Sequence, residues 1–248
     1  MTSRSYDVPQ LLTAVVGAAA LAAVVGGCGQ PTGASSGDAP SHHVSPSHHV
    51  SSQPQSSDAA LARAQLRRLA VRPRPRGTRG YDRDAFGNDW VDTDHDGCNQ
   101  RDDVLLRDSV PGTTHVAEQG ACDHDVLAGT WHDPYTGRTL RFTDLKDLSQ
   151  AEAIQIDHLV PLAEAWVSGA ADWSSTRREA FANDLPELLA VDGPTNMSKG
   201  DGDPAAWRPR KGYQCTYARR WIAIKTTWHL AVDPSEVAAL REMLGYCR

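Results

Sequence analysis

The chain has 248 residues and a formal net charge of −6 at neutral pH. This acidic balance argues against a tight, sequence-specific nucleic-acid binder, but it does not exclude an enzyme that needs positive charge only locally. The length allows one or two domains. All seven tryptophans lie between Trp90 and Trp228, so we expect one folded domain over residues 80–248.

The first 27 residues have the organisation of an export signal. A weakly basic start at Arg4 precedes the apolar stretch Leu11–Val25, which is short for a membrane span. The segment ends in Val-Gly-Gly-Cys, which resembles a bacterial lipobox. We therefore predict a lipoprotein-type signal peptide over residues 1–27 and lipidation at Cys28. An ordinary cleaved signal or an uncleaved anchor is the alternative, and each places the protein outside the cell or in the cell envelope.

Residues 28–79 read as a flexible tether. Residues 29–60 are rich in Ser, Gly, Pro and His and contain few large apolar side chains, so they cannot bury enough surface to fold. An arginine-rich run follows, within which Ala59–Val71 is a candidate short helix that Pro73 ends. The arginines would contact nucleic acid, anionic lipid or cell-wall polymer, or would simply face solvent. The composition predicts disorder over the whole segment.

An aspartate-rich loop comes next, with carboxylates at Asp92, Asp94, Asp96 and Asp103 and a glycine at Gly97. The four aspartates occupy places one, three, five and twelve of an EF-hand loop, and the glycine occupies place six. In such a loop a hard cation binds several oxygens from one tight turn. The twelfth place usually holds the longer Glu, and flanking helices are not obvious. The loop is a possible calcium site, and otherwise its aspartates form turns or border an active site.

Four cysteines remain when Cys28 is set aside: Cys98, Cys122, Cys215 and Cys247. An even number in an exported chain predicts two disulfides, because the compartment is oxidising. Three pairings are possible, and we favour Cys98 with Cys122 and Cys215 with Cys247. The sequence has no C-x-x-C pair, which makes a structural zinc site improbable.

The second half of the chain indicates an α+β class. A Pro/Gly turn between Trp131 and Phe142 predicts a hairpin, and alternating apolar residues predict strands near residues 154–160 and 188–191. The helical segments predicted from apolar periodicity are 162–167, 177–181, 213–230 and 234–244.

The strongest motif is Asp157-His158-Leu-Val-Pro161 on the first of these strands, with Asn196-Met-Ser-Lys199-Gly-Asp beyond the second. This pattern resembles the HNH (ββα-metal) endonuclease family, and more closely a group of secreted actinobacterial HNH proteins. The resemblance covers about residues 80–248. It implies a ββα-metal core with an N-terminal hairpin and loop extension and C-terminal helices, stapled by disulfides.

The motif residues suit the hydrolysis of a phosphodiester. An imidazole ordinarily titrates near neutral pH, so His158 is expected to serve as the general base. Asp157 and Asn196 offer hard oxygen ligands for Mg²⁺ or Mn²⁺. Lys199 can contact the phosphate as a point charge. Neighbours on a regular strand face opposite ways, so Asp157 and His158 share a site only if the strand ends or twists there.

One position departs from the family pattern. Many members place Asn just before the Leu of the second strand, where it orients the catalytic histidine, whereas this chain has Glu187 before Leu188. Glu187 would hydrogen-bond the imidazole or face solvent. Arg83, Arg101 and Arg107 are further candidates for binding phosphate, with ion pairs to nearby aspartates as the alternative.

The sequence therefore predicts an exported, metal-dependent, non-specific endonuclease acting on DNA, RNA or both. The alternative is a catalytically inactive, calcium-binding cell-envelope protein with the same fold.

Overall fold

The computed structural model describes residues 53–75, 77–87 and 90–247, with side chains from residue 57 onward. The predicted signal peptide, the lipidation site Cys28 and the first part of the tether lie outside the described residues. Within the described part, no helix is both long and apolar enough to cross a membrane.

Helix α1 (Gln53–Leu66) belongs to the folded domain. Ala59, Ala62 and Leu66, spaced three and four residues apart, are buried on one side of it. They pack against the C-terminal helix α7 (Gln214–Trp228). Residues 53–75 therefore depart from the disorder predicted for residues 28–79, because this apolar face packs against a helix far along the chain. The candidate helix Ala59–Val71 overlaps α1. The domain begins well before Gly80.

A three-stranded antiparallel sheet follows, in the order β1 (His115–Gln119), β2 (Cys122–His132), β3 (Thr139–Phe142). The turn between β2 and β3 is the predicted Pro/Gly turn, and Asp133 fastens it by accepting from the Gly137 amide at 2.8 Å. Helix α2 (Gln100–Asp108) packs against β2.

The second sheet has two antiparallel strands, β4 (Ile154–His158) and β5 (Leu188–Asp192), with His158 opposite Leu188. Helices α4 (Leu162–Ser168) and α5 (Ser175–Ala182) lie between them in sequence. Helix α3 (Leu148–Ala153) leads into β4, and helix α6 (Gly193–Lys199) follows β5 directly. Strands β4 and β5 and helix α6 thus follow one another in the chain, and a ββα-metal core built from them stays a prediction.

Close packing explains a glycine at the start of α6. A Cβ atom on Gly193 would lie 2.3 Å from the carbonyl oxygen of Glu152. The first turn of α6 therefore rests on the end of α3, which brings Lys199 beneath β4.

The C-terminal helices α7 and α8 (Pro234–Leu244) supply much of the core, including the buried Tyr217 and Trp221. The Cys215–Cys247 disulfide joins the start of α7 to the end of the chain, and the Cys98–Cys122 disulfide joins the loop before α2 to β2. The class is α+β with two disulfides, and their pairing is the one that the sequence analysis favours.

Candidate active site

His158, the last residue of β4, is buried with its ring in a fixed orientation. The imidazole stacks on Trp90, with 5.8 Å between ring centroids and 13° between ring planes. Its Nε2 atom lies 2.9 Å from the carbonyl oxygen of Ala182. A carbonyl oxygen only accepts, so Nε2 carries the ring proton and Nδ1 keeps a lone pair. This tautomer is the one that can take a proton through Nδ1.

The surroundings of His158 keep it neutral. Burial, with a smaller effect from the positive charges of Arg83 and Lys199, outweighs the hydrogen bond to Ala182 and lowers the pKa of the imidazole to about 3. The ring is therefore in its basic, proton-accepting form at neutral pH.

His158 lies in a pocket of about 100 Å³. Arg83, in the short 3-10 helix Arg83–Phe86, also lines it, and its side chain is exposed to solvent. The remaining lining residues are Phe86, Gly87, Trp90, Leu162, Ala182 and Asn183. A neutral imidazole beside one cation in a small open pocket is an arrangement that suits an anionic ester.

Asn183 is a residue of this pocket that the sequence analysis missed. It is buried at the end of α5. Its Oδ1 accepts from the Val91 amide at 2.9 Å, and its Nδ2 donates to the Glu179 carbonyl at 3.1 Å. Asn183 thus holds the segment that carries Trp90 against α5. The available signal was an Asn directly after a helical segment, a common helix-ending residue.

Asp157 faces away from the pocket, as strand alternation requires. Its Oδ1 accepts from the Lys199 ammonium at 2.8 Å, and its Oδ2 accepts from the Tyr135 hydroxyl. Lys199 also donates to the main-chain carbonyl of His158 at 2.7 Å. Burial raises the pKa of the Asp157 carboxyl, while the neighbouring ammonium acts to lower it. The predicted phosphate contact, Lys199, is therefore a buried partner of Asp157.

Asp157 and Asn196 do not fit a shared metal site. Both carboxylate oxygens of Asp157 are already paired, and its counter-ion is the Lys199 ammonium. The Asn196 amide instead donates to Gln155 Oε1 at 3.0 Å. Among the described residues, no group of three or more His, Cys, Asp or Glu with metal-ligand spacing includes His158. Instead of sharing one ligand site, Asp157 is in an ion pair and Asn196 makes a separate amide contact; their role as metal ligands stays a prediction.

Glu187 does not support the His158 ring. It is fully buried, and its Oε1 accepts from the Val160 amide at 2.8 Å. Its main-chain carbonyl accepts from the Leu159 amide at 2.9 Å. Burial raises the pKa of the Glu187 carboxyl well above its usual range. Because the register places His158 opposite Leu188, Glu187 meets the residues that follow His158 and fixes the turn leaving β4.

The other arginine candidates lie elsewhere. Arg107 pairs with Asp108 and donates to the Leu185 carbonyl at 2.8 Å. Arg101 approaches main-chain carbonyls of α3 and β4. Of the three arginines, Arg83 is the one in the His158 pocket.

The predicted aspartate loop does come together. The carboxylates of Asp92, Asp94 and Asp96 lie within 4.8 Å of one another, and so do ligand atoms of Asp96, Asp103 and His124. His124, which the sequence analysis did not select, reaches the cluster from β2.

Residues 100–243 match the family described as the C-terminal domain of GmrSD restriction endonucleases, and this match covers more than half of the chain. The chain belongs to this family. The matched region contains both sheets and His158, whereas α1 and Arg83 lie before it. The predicted assignment to a nuclease family is thereby supported, while the narrower secreted actinobacterial group stays a prediction.

A protein of Arthroderma benhamiae described as an uncharacterized secreted protein is 40% identical over 198 residues. The alignment covers 78% of this chain and 88% of that protein. No solved structure matches the chain.

Proposed function

We propose that this protein is an exported endonuclease that hydrolyses phosphodiester bonds in DNA, RNA or both. The observation that carries the proposal is the His158 imidazole, which is neutral, oriented by the Ala182 carbonyl and placed beside Arg83 in one pocket. Membership of a nuclease family supports it independently.

In the proposed reaction, Nδ1 of His158 takes a proton from a water molecule as the water oxygen attacks phosphorus. The bond from phosphorus to the leaving ester oxygen breaks, and that oxygen takes a proton from solvent water. The Arg83 guanidinium offsets negative charge on the phosphate. A phosphate placed beside the ring favours its protonated form, because an opposite charge nearby raises the pKa of an imidazole. The proton affinity of His158 therefore increases when substrate is bound.

Three buried residues act as positioning residues for this base. Lys199, held by Asp157, donates to the main-chain carbonyl of His158, and Glu187 holds the Val160 amide two residues later. The main chain is thus fixed at His158 and just beyond it, which limits movement of the imidazole relative to Arg83.

The requirement for a cation and the location of the exported protein are parts of the proposal that need separate tests. The sequence predicts Mg²⁺ or Mn²⁺, but the predicted ligands Asp157 and Asn196 do not fit either ion, so no step is assigned to a metal. Two disulfides are consistent with an oxidising compartment. Lipid anchoring at Cys28 is proposed from the sequence pattern, and mass spectrometry of the protein from membranes would test it.

The test is cleavage of supercoiled plasmid and of RNA by the purified, oxidised full chain, with Mg²⁺, Mn²⁺, Ca²⁺ or EDTA. We expect His158→Ala to reduce the rate by about 100- to 10,000-fold, the usual contribution of a general base. Arg83→Gln should weaken cleavage through its contact with the phosphate. The matched control is His132→Ala, which changes an exposed histidine on β2 and should leave the rate unchanged.

Two outcomes would count against the proposal. Cleavage at the wild-type rate by a folded His158→Ala protein would show that His158 is not needed for the reaction. If His158→Ala does not fold, the more conservative His158→Asn variant is measured in its place. No cleavage of either substrate with any ion, by a folded wild-type protein, would favour the alternative. That alternative is an inactive, calcium-binding envelope protein with this fold.

A further inference from the structure

A second polar cluster lies outside the His158 pocket, in the loop between Trp90 and helix α2. Asp92, Asp94 and Asp96 place carboxylate oxygens within 4.8 Å of one another. Asp92 accepts from the His95 and Gly97 amides, and Asp96 accepts from the Cys98 amide at 2.8 Å. A carboxylate has about four lone-pair positions, so these bonds leave lone pairs on each group for a ligand.

Asp103 supplies the observation that points to a ligand. Its side chain is only 10% exposed, and its Oδ2 atom is buried with no hydrogen-bond partner among the described residues. A buried carboxylate oxygen without a donor is costly unless a positive charge compensates it. Ligand atoms of Asp96 and His124 lie within 4.8 Å of an Asp103 oxygen.

His124 provides only part of that compensation. Its Nε2 lies 2.9 Å from Asp103 Oδ1, and its Nδ1 lies 2.7 Å from Asp123 Oδ1. Each ring nitrogen is therefore occupied by a carboxylate, and the ring bonds only one of the two Asp103 oxygens. His124 acts here as a hydrogen-bond donor rather than as a metal ligand.

The available ligands are oxygens. Cys98 and Cys122 lie close to His124, but they are joined in a disulfide and offer no thiolate. The same disulfide fixes the end of the loop to β2. Gly97 has a φ of +97°, and a Cβ atom there would lie 2.3 Å from the Ala121 carbonyl oxygen. The loop is therefore held tightly where its acidic side chains converge.

We propose that this loop binds one hard divalent cation of the calcium class through Asp92, Asp94, Asp96 and Asp103. Ca²⁺ takes six to eight oxygen ligands in flexible geometry, and these residues occupy places one, three, five and twelve of a loop with glycine at place six. The twelfth place lies in the first turn of α2. The site is separate from the proposed nuclease chemistry and does not depend on it.

Binding at this loop would also fix one wall of the His158 pocket. Trp90, which stacks on His158, precedes Asp92 by two residues, and the intervening Val91 is bonded to Asn183. A cation that orders the loop would thus limit movement of the Trp90 segment.

The test is calcium titration of the oxidised, EDTA-treated full chain by isothermal calorimetry and thermal unfolding, without nucleic acid. We expect one saturable site with a Kd of about 10⁻⁴–10⁻³ M, the range of extracellular calcium modules, and a rise in Tm on saturation. Asp94→Asn is the first variant, because Asp94 is exposed and its loss should not impair folding. It should weaken binding at least about tenfold, as each 1.4 kcal/mol of lost interaction does.

Asp103→Asn, which changes the buried carboxylate, should weaken binding further. Glu118→Gln is the matched control: it removes one exposed negative charge from β1 and should leave the Kd unchanged. Absence of saturable Ca²⁺ binding, or equal binding by Asp94→Asn, would overturn the proposal. Binding of Zn²⁺ in place of Ca²⁺ that is lost in His124→Gln would also overturn it, in favour of a transition-metal site with a histidine ligand.

Discussion

The two faces of strand β4 carry neighbouring residues of one motif but have opposite physical character. On one face, Asp157 is sealed in an ion pair with Lys199 and a hydrogen bond from Tyr135. On the other face, His158 lies in a pocket beside the exposed Arg83. Asp157 and His158 are neighbours in the motif but do not share a site, because neighbouring side chains on a strand point to opposite sides of the sheet.

This division gives the two residues different tasks. The Asp157 face is buried, and Lys199 on this face also donates a hydrogen bond to the main-chain carbonyl of His158. The His158 face has a ring nitrogen with a lone pair and a nearby cation. Asp157 thus stabilises the strand that presents His158, and the chemistry is expected on the His158 face alone.

The largest expected effect of a single substitution on the free energy of unfolding at neutral pH is on the Asp157 face. Lys199→Met leaves a buried carboxylate without its cation, which typically costs about 3–5 kcal/mol of unfolding free energy. The matched control is Lys146→Met, since Lys146 pairs with Asp125 at 2.8 Å but keeps 55% of its side chain exposed. That change should cost less than about 1 kcal/mol. Urea unfolding measures both. Equal losses in the two variants would show that Asp157 does not need Lys199, and would reopen a metal-binding role for Asp157.

A smaller effect is expected at the second partner of Asp157. Tyr135→Phe removes the hydroxyl that donates to Asp157 Oδ2 and leaves that buried oxygen unpaired, at a cost of about 1–3 kcal/mol. Tyr246→Phe is the control, because the Tyr246 hydroxyl bonds Glu242 at 3.1 Å on the surface. The same unfolding experiment should find little change for Tyr246→Phe. An unchanged free energy of unfolding in Tyr135→Phe would mean that the hydroxyl contributes no net stability to this face.

The third prediction is the pH dependence of the His158 face. The pKa of His158 is about 3 in the folded protein, against an ordinary 6.5. Between these values the unfolded chain binds a proton that the folded protein does not, so acid favours unfolding. The contribution is complete above pH 6.5 and is lost as pH falls toward 3, by about 1.4 kcal/mol per pH unit. In His158→Gln this part of the slope should disappear. Parallel wild-type and variant curves from urea unfolding at pH 4 to 8 would contradict the buried, neutral imidazole.

Sequence periodicity was a good guide to the local elements. The strands β4 and β5, the helices α4, α5, α7 and α8, and the hairpin turn all lie where apolar spacing and turn residues predicted them. These features depend on contacts within a few residues, so a sequence window contains most of their determinants. Helix α1 overlaps the candidate helix Ala59–Val71, but the sequence placed that helix in a tether, because its apolar face packs on α7, far along the chain.

By itself, the sequence determined the α+β class, the Asp157-His158 motif and the membership of a nuclease family that the comparison with known proteins supports. Only the tertiary structure decided that Lys199 serves Asp157, that Asn183 and Ala182 border the His158 pocket, and that His124 meets Asp103. Lys199 and Asp157 are 42 residues apart, and Asp103 and His124 are 21 apart. Pairings at such separations follow from how helices and sheets pack on each other, which no short stretch of sequence specifies.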